Sequence, residues 1–279
     1  MSTNIIALSG RKQSGKTTTA NQILGLEMTS LGIVRGACTI NPKGQLYIDD
    51  LFGDKRYEGV FDVMRNNESM NRFRAENLDP YVKIYSFADL LKQHVCIDIL
   101  GLSWEQCYGT DEQKNTETHL RWEHMPGVMT PMDWSMRQGG VAQGYTQHPQ
   151  EFNILLKEGF MTGRDVMQFA GTEIFRKMYH NVWVDSTIRR IRREAPAIAV
   201  ICDTRFPNEV MGVKEAGGRV LRLTRAPFKE DEHASETALD EDKFDWSNFD
   251  AVVDNELLNV AETCQTVHPI LEKWGLKYE

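Results

Sequence analysis

The chain has 279 residues, 41% of them hydrophobic and 26% charged, with a formal net charge of -8. This balance suits a soluble globular protein of one large or two modest domains, and it excludes disordered, collagen-like and coiled-coil classes. No apolar run reaches the roughly 18 residues of a membrane span, the N-terminus lacks the basic stretch of a secretory signal, and the five scattered cysteines form no Cys-x-x-Cys pair to seed a zinc site or disulfide framework.

The first strand is predicted at residues 4–8 (NIIAL), an apolar run of the kind buried on both faces of a parallel sheet. Gly10-Arg11-Lys12-Gln13-Ser14-Gly15-Lys16-Thr17 follows at once, with a predicted helix over 17–26. The run satisfies G-x-x-x-x-G-K-[ST] in the strand–loop–helix context that the phosphate-loop motif needs. Gly10 and Gly15 permit backbone conformations that a side chain would block. Successive N–H groups of such a loop, Gln13 and Ser14 included, form an anion nest at a helix N-terminus. Lys16 is then expected at the β- and γ-phosphates and the Thr17 hydroxyl at Mg²⁺. No Asn-Lys-x-Asp guanine-reading motif is present, so ATP is the expected nucleotide.

Residues 36–75 break the rhythm. Asn41-Pro42-Lys43-Gly44 reads as a turn before a strand at 45–48, inside an insertion or substrate-covering segment. The second core strand is predicted at 82–87 (VKIYSF). Ala88, Leu91, Val95 and Ile99 then recur at helical spacing behind a Ser86-x-x-Asp89 start signal. Lys92 lies on that helix. Residues 120–160, rich in Gly, Met, Gln and Pro, read as a second insertion. Thr162-x-x-Asp165 starts a helix running to about residue 178. On it Arg164, Gln168, Gly171 and Thr172 share one polar face at i, i+4, i+7 and i+8. A glycine inside a helix costs about 1 kcal/mol relative to alanine, so Gly171 marks either a close ligand or a packing contact.

The third strand is predicted at 197–202 (AIAVIC), ending at Asp203. Ligands of open parallel sheets gather at the carboxyl ends of strands. Asp203 is therefore expected near the glycine loop, holding Mg²⁺ through water, with Arg205 in reach of a phosphate. Pro207 opens a helix that stops at Gly217-Gly218. Strands at 219–223 (RVLRL) and 251–253 (AVV) follow, with Arg225 just after the first and Asn255, a candidate adenine contact, after the second. The charged segment 226–248 between them reads equally as a solvated stretch or as a lid that swings Arg225 inward. Arg189-Arg190-x-Arg192-Arg193 reads as a solvated helix end, and the acidic balance gives no expectation of stable nucleic-acid binding. Strands alternating with helices predict an α/β fold with a parallel sheet.

Taken together, these pieces resemble the bacteriophage deoxynucleoside monophosphate kinases, the family of the T-even and T5-like phage enzymes. The resemblance is carried by Ser9-Gly10 through Thr18, Phe87-Ala88-Asp89-Leu90-Leu91-Lys92 and Tyr108 through Lys114. It continues through Arg164-x-x-x-Gln168-x-x-Gly171-Thr172-Glu173, Val182-Trp183-Val184-Asp185, Asp203-Thr204-Arg205-x-x-x-Glu209 and His233-x-Ser235-Glu236. It implies a single phosphate-loop kinase domain over 1–279 with an adenylate-kinase-like three-layer fold, a five-stranded parallel sheet, two insertions and a lid. It implies transfer of the γ-phosphoryl group of ATP to deoxynucleoside 5′-monophosphates, in the host cytoplasm if the chain is phage-encoded. Lys16, Thr17 and Thr18 would serve ATP and Mg²⁺. Arg164, Gln168, Gly171, Thr172 and Trp183 would shape the monophosphate side, with Lys92 a candidate contact to the acceptor phosphate and Asp203, Arg205 and Glu209 between the two sides. Where members of that family often carry Asp, this chain has Thr17. The expected partners are small molecules, with no membrane and with a homodimer left open. The alternatives are a dephospho-coenzyme A or adenylate kinase, or a nucleotide-dependent switch or ATPase.

Overall fold

The computed structural model describes residues 3–133, 135, 155–228 and 234–276. The chain divides into two units, residues 1–88 with 183–279 and residues 89–182. Among the described residues no helix is long and apolar enough to cross a membrane.

The first unit is built on five strands, β1 (Asn4–Ser9), β2 (Val82–Tyr85), β3 (Ile198–Thr204), β4 (Arg219–Leu223) and β5 (Ala251–Val253). They run in the order β5-β4-β1-β3-β2, parallel throughout. The expected five-stranded parallel sheet is thus present, with β1 at its centre. Its longer helices among the described residues are α1 (Lys16–Ser30), α2 (Val182–Glu194), α3 (Pro207–Glu215) and α4 (Val260–Lys273).

Both faces of the sheet are covered, which is why its strands read as continuous apolar runs. Side chains alternate across a strand. Ile6, Leu8, Val200, Leu221 and Leu223 pack in one core with Ala20, Ile23 and Leu24 of α1 and Val267 and Leu271 of α4. The alternate residues Ile5, Ala7, Ala199, Ile201 and Val220 are buried too, as are Val210 and Val213 of α3 and Val184, Ile188 and Ile191 of α2. A Cβ on Gly218 would meet both Val213 and Ile5, and one on Gly212 would meet Val184, so α3 lies against the sheet and α2 against α3.

Two expectations shift. β3 continues through Asp203 to Thr204 rather than stopping at Cys202, because its pairing with β1 slips by one residue. Ala7 faces Ile201 but Ser9 faces Thr204. Such a bulge re-aims side chains beside a site. Strand β2 stops at Tyr85, and Ser86 does not cap the following helix. Its hydroxyl donates to Asp203 Oδ2 at 2.5 Å and accepts from Ala88 N at 3.1 Å. The helix that follows is a π-helix, Leu91–Ile99.

Segment 36–75 is anchored to the core rather than loose over it. Cys38–Ile40, Leu46–Ile48 and Gly59–Val60 form a small antiparallel sheet, with Leu46 and Ile48 buried in the main core. Its turn at Gly44 packs directly on Thr18 of α1.

The second unit is a set of short helices with two-stranded pairings, Glu117–Arg121 with Phe160–Thr162 and Val128–Met129 with Leu155–Leu156. Capping boxes start three of its helices, at Ser103, Thr110 and Thr162. The Thr162 box, read from the sequence, opens Gly163–Gln168, which continues as a π-helix over Phe169–Arg176. Most of insertion 120–160, from 136 to 154 and including Trp134 nearby, lies outside the described residues.

Candidate functional site

Loop 10–17 leaves the end of the central strand and turns into α1. Gly10 has φ 153, and a Cβ there would stand 2.3 Å from Ser14 Oγ and 2.9 Å from Leu223 O, so no other residue fits without moving backbone. Gln13 holds φ 60, in the left-handed region that non-glycine residues rarely adopt. Lys16 is folded over the loop, donating to Gly10 O and Arg11 O at 2.7 Å each. It is only 8% exposed. Burial first, then the neighbouring charges of Arg205 and Arg222, push its ammonium down to about 7. Thr17 is exposed on the first turn of α1, where the N–H groups of any helix start lack internal partners.

Asp203 sits at the β3 bulge with its carboxylate turned to the 86–88 turn, accepting from Ser86 Oγ, from Phe87 N at 2.8 Å and from Ala88 N at 3.2 Å. It is near enough to Lys16 to favour that lysine's charged form. Arg205 extends two residues further and pairs with Glu236. Glu209, buried at 2% exposure, accepts from the backbone N–H groups of Arg205 and Phe206. It therefore fixes the β3–α3 connection, and its described contacts are backbone ones rather than groups aimed outward.

Asn255 is fully buried. Its Nδ2 donates to Ser14 O at 2.8 Å and its Oδ1 accepts from Arg225 N at 2.9 Å. The amide expected against adenine bonds the backbone of the loop at Ser14 and of Arg225 beyond β4. Arg225 follows suit, donating from its side chain to the carbonyls of Asn255 and Leu258.

Two further neighbours border the loop, one to which the sequence assigns no role and one that it leaves between a solvated stretch and a lid. Arg222, on β4, is 4% exposed, donates to Ser9 Oγ at 3.1 Å and lies over the rings of Trp246 and Phe249. Burial pushes its guanidinium down to about 10. A charged residue at an inward position of an apolar strand was the available signal. The charged segment 226–248 supplies the second, since Glu236 and Asp240 reach back onto the loop. Glu236 accepts from Lys12 N at 2.5 Å, and Asp240 takes both Nη2 and Nε of Arg11, at 2.5 and 3.2 Å. His233, quoted beside Glu236 in the resemblance, lies outside the described residues.

In the second unit, Arg164 donates to Asp111 Oδ1 at 2.8 Å and to Asn115 Oδ1 at 3.0 Å. Gln168 and Thr172 are exposed, but Gly171 is not on their face. It is buried against Leu91, whose Cδ2 would lie 2.8 Å from an added Cβ. The π-helix from Phe169 is the reason, because it changes the angular step on which the i+7 spacing relied. Gly171 is thus the packing glycine of the two readings. Lys92 sits over the Tyr108 ring at 4.9 Å. Trp183 belongs to the first unit, buried near the start of α2. Arg189, Arg192 and Arg193 are exposed on α2, while Arg190 pairs with Glu194, as a solvated helix end would have it.

No family model matches the chain. It is 29% identical over 167 residues to the "Putative deoxynucleotide monophosphate kinase" of Acanthamoeba polyphaga mimivirus, a match covering 55% of this chain and 67% of that protein. It is 39% identical over 66 residues to the deoxynucleoside-5'-monophosphate kinase of Escherichia phage T5, covering 23% of each.

Proposed function

We propose that the chain transfers the γ-phosphoryl group of ATP to deoxynucleoside 5′-monophosphates, yielding the diphosphates and ADP, a step that supplies DNA precursors. The observation that carries this reading is Lys16. It is buried in a glycine loop at the end of the central strand, beside Arg205 and Arg222, with Asp203 at the end of the next strand. The names of the two viral relatives support the same reaction.

The loop N–H groups and Lys16 receive the triphosphate, and Arg205 offsets charge on the transferring group. The donor set fits Mg²⁺ as phosphate-loop enzymes hold it, through one hydroxyl, water and the phosphates themselves. Thr17 is exposed for that role, and a carboxylate accepting three hydrogen bonds keeps lone-pair capacity for a water. Held by Thr17 and, through water, by Asp203, Mg²⁺ would supply positive charge to offset that of the phosphates. Arg164, held from one side by Asp111 and Asn115, is assigned to the acceptor phosphate through its remaining guanidinium edge, with Gln168, Thr172 and Lys92 as further acceptor-side contacts. Asn255 and Arg225 brace the loop, while Glu209, Gly171 and Trp183 shape the elements that carry the site. An ionised phosphate acceptor needs no strong base.

The test is ATP consumption with each deoxynucleoside and ribonucleoside monophosphate in turn. The reading expects consumption that depends on a deoxynucleoside monophosphate. Consumption independent of any acceptor, or raised by DNA, would mean a switch or ATPase instead.

A further inference from the structure

We propose that Glu236 is a positioning residue for phosphoryl transfer, acting through Arg205 and the Lys12 amide; this rests on the kinase reading above. The Glu236 side chain is only 7% exposed, and its two oxygens are divided between two partners. One accepts from Arg205 Nη1, the other from the backbone N–H of Lys12. Four residues on, Asp240 grips the Arg11 side chain and lies 3.9 Å from Arg222. The segment therefore ties the arginine beyond β3 to the glycine loop and anchors itself twice.

Charge explains why such a group is needed. Arg205 and Arg222 both disfavour the charged form of Lys16, so these cations repel one another. Arg205 is 29% exposed in its side chain and has solvent as an alternative. A buried carboxylate between Arg205 and the loop removes that alternative and holds the guanidinium beside the phosphates before ATP arrives, which lowers the reorganisation needed in the transition state.

A carboxylate oxygen also resembles a phosphate oxygen, so Glu236 has a rival role as an occupant that ATP must displace. Two observations favour positioning. Displacement would have to work against the Asp240 anchor as well as the Glu236 one. The first-turn N–H groups of α1, which Glu236 does not use in its described bonds, remain the helix-start donors for phosphate.

Glu236→Gln keeps the shape and one acceptor oxygen but removes the charge. With saturating deoxynucleoside monophosphate, kcat is expected to fall about tenfold to a hundredfold, the range for a hydrogen bond to a charged group. KM for ATP should change less than about threefold. Arg205→Lys should lose a similar factor, and the double variant no more than the worse single one. Titration with a non-hydrolysable ATP analogue and thermal midpoints accompany the kinetics, with Glu236→Asp as the second variant if Gln lowers the midpoint. Tighter analogue binding with kcat retained would make Glu236 a competitor of phosphate and overturn the proposal. Additive losses would overturn it too, since Glu236 would then not act through Arg205. If the parent chain binds the analogue yet phosphorylates no deoxynucleoside monophosphate, the kinase reading has failed, and this role with it.

Discussion

At Lys16, burial and the side chain's own charge work against each other. Its ordinary value of 10.5 falls to about 7 because burial and two arginines disfavour the ammonium. Between those values the folded chain binds fewer protons than the unfolded one, so the penalty is full below pH 7 and is relieved as pH rises through that window. A triphosphate reverses the balance by favouring the charged form. Binding of an ATP analogue at about pH 8 should therefore take up a proton at Lys16, and binding at about pH 6 should not. Calorimetry in buffers of different ionisation enthalpy measures this, and proton-neutral binding at the higher pH would remove Lys16 from the phosphates. Lys16→Met should cut turnover by about a hundredfold or more while the thermal midpoint holds, since the penalty leaves with the charge. For the acceptor, the residue we propose is Arg164. Its pair with Asp111 is about half exposed and adds little to stability. Arg164→Ala should raise KM for the deoxynucleoside monophosphate about tenfold to a hundredfold, leaving KM for ATP and the midpoint little changed. An effect on ATP alone would mean that this helix serves the other substrate.

At the scale of elements, what could be read from sequence was what is local. The Thr162 box, Pro207 at a helix start and the apolar runs of β1, β4 and β5 depend on neighbours within a few residues, and each forms as expected. The pieces that escaped depend on distant partners. Ser86 looked like a helix start, but Asp203, 117 residues away, claims its hydroxyl. Gly171 seemed to share a face with Gln168 until a π-turn altered the angular step. Lys12 and Glu236 are 224 residues apart, and nothing in either stretch alone announces their contact. Asn255 is the same kind of case, for its position after β5 was legible and its direction was not. Its amide joins the end of β5 to the glycine loop. Asn255→Ala would strand the buried Ser14 carbonyl and Arg225 amide, at about 1–3 kcal/mol. Chemical denaturation should register that loss, and KM for ATP should rise with it. A destabilised variant with unchanged KM would mean that the clamp holds the fold without tuning the loop.

Across the whole molecule, a sheet covered on both faces places its chemistry at the carboxyl ends of its strands. The loop after β1, the bulge in β3 and the residues after β4 and β5 all follow that rule. A chain with a formal net charge of -8 concentrates Arg11, Lys16, Arg205 and Arg222 around one loop. It balances them with Asp203, Glu236 and Asp240. Such a local cluster of cations is suited to an anion even in an acidic protein. We propose that the anion taken here is ATP and that its terminal phosphoryl group goes to a nucleotide rather than to water. The most direct measurement follows γ-labelled ATP and identifies the labelled product in the presence of each deoxynucleoside monophosphate. Labelled deoxynucleoside diphosphate is expected to form in step with ADP, and none in Lys16→Met. Label appearing only as inorganic phosphate, at a rate indifferent to the monophosphate, would contradict it.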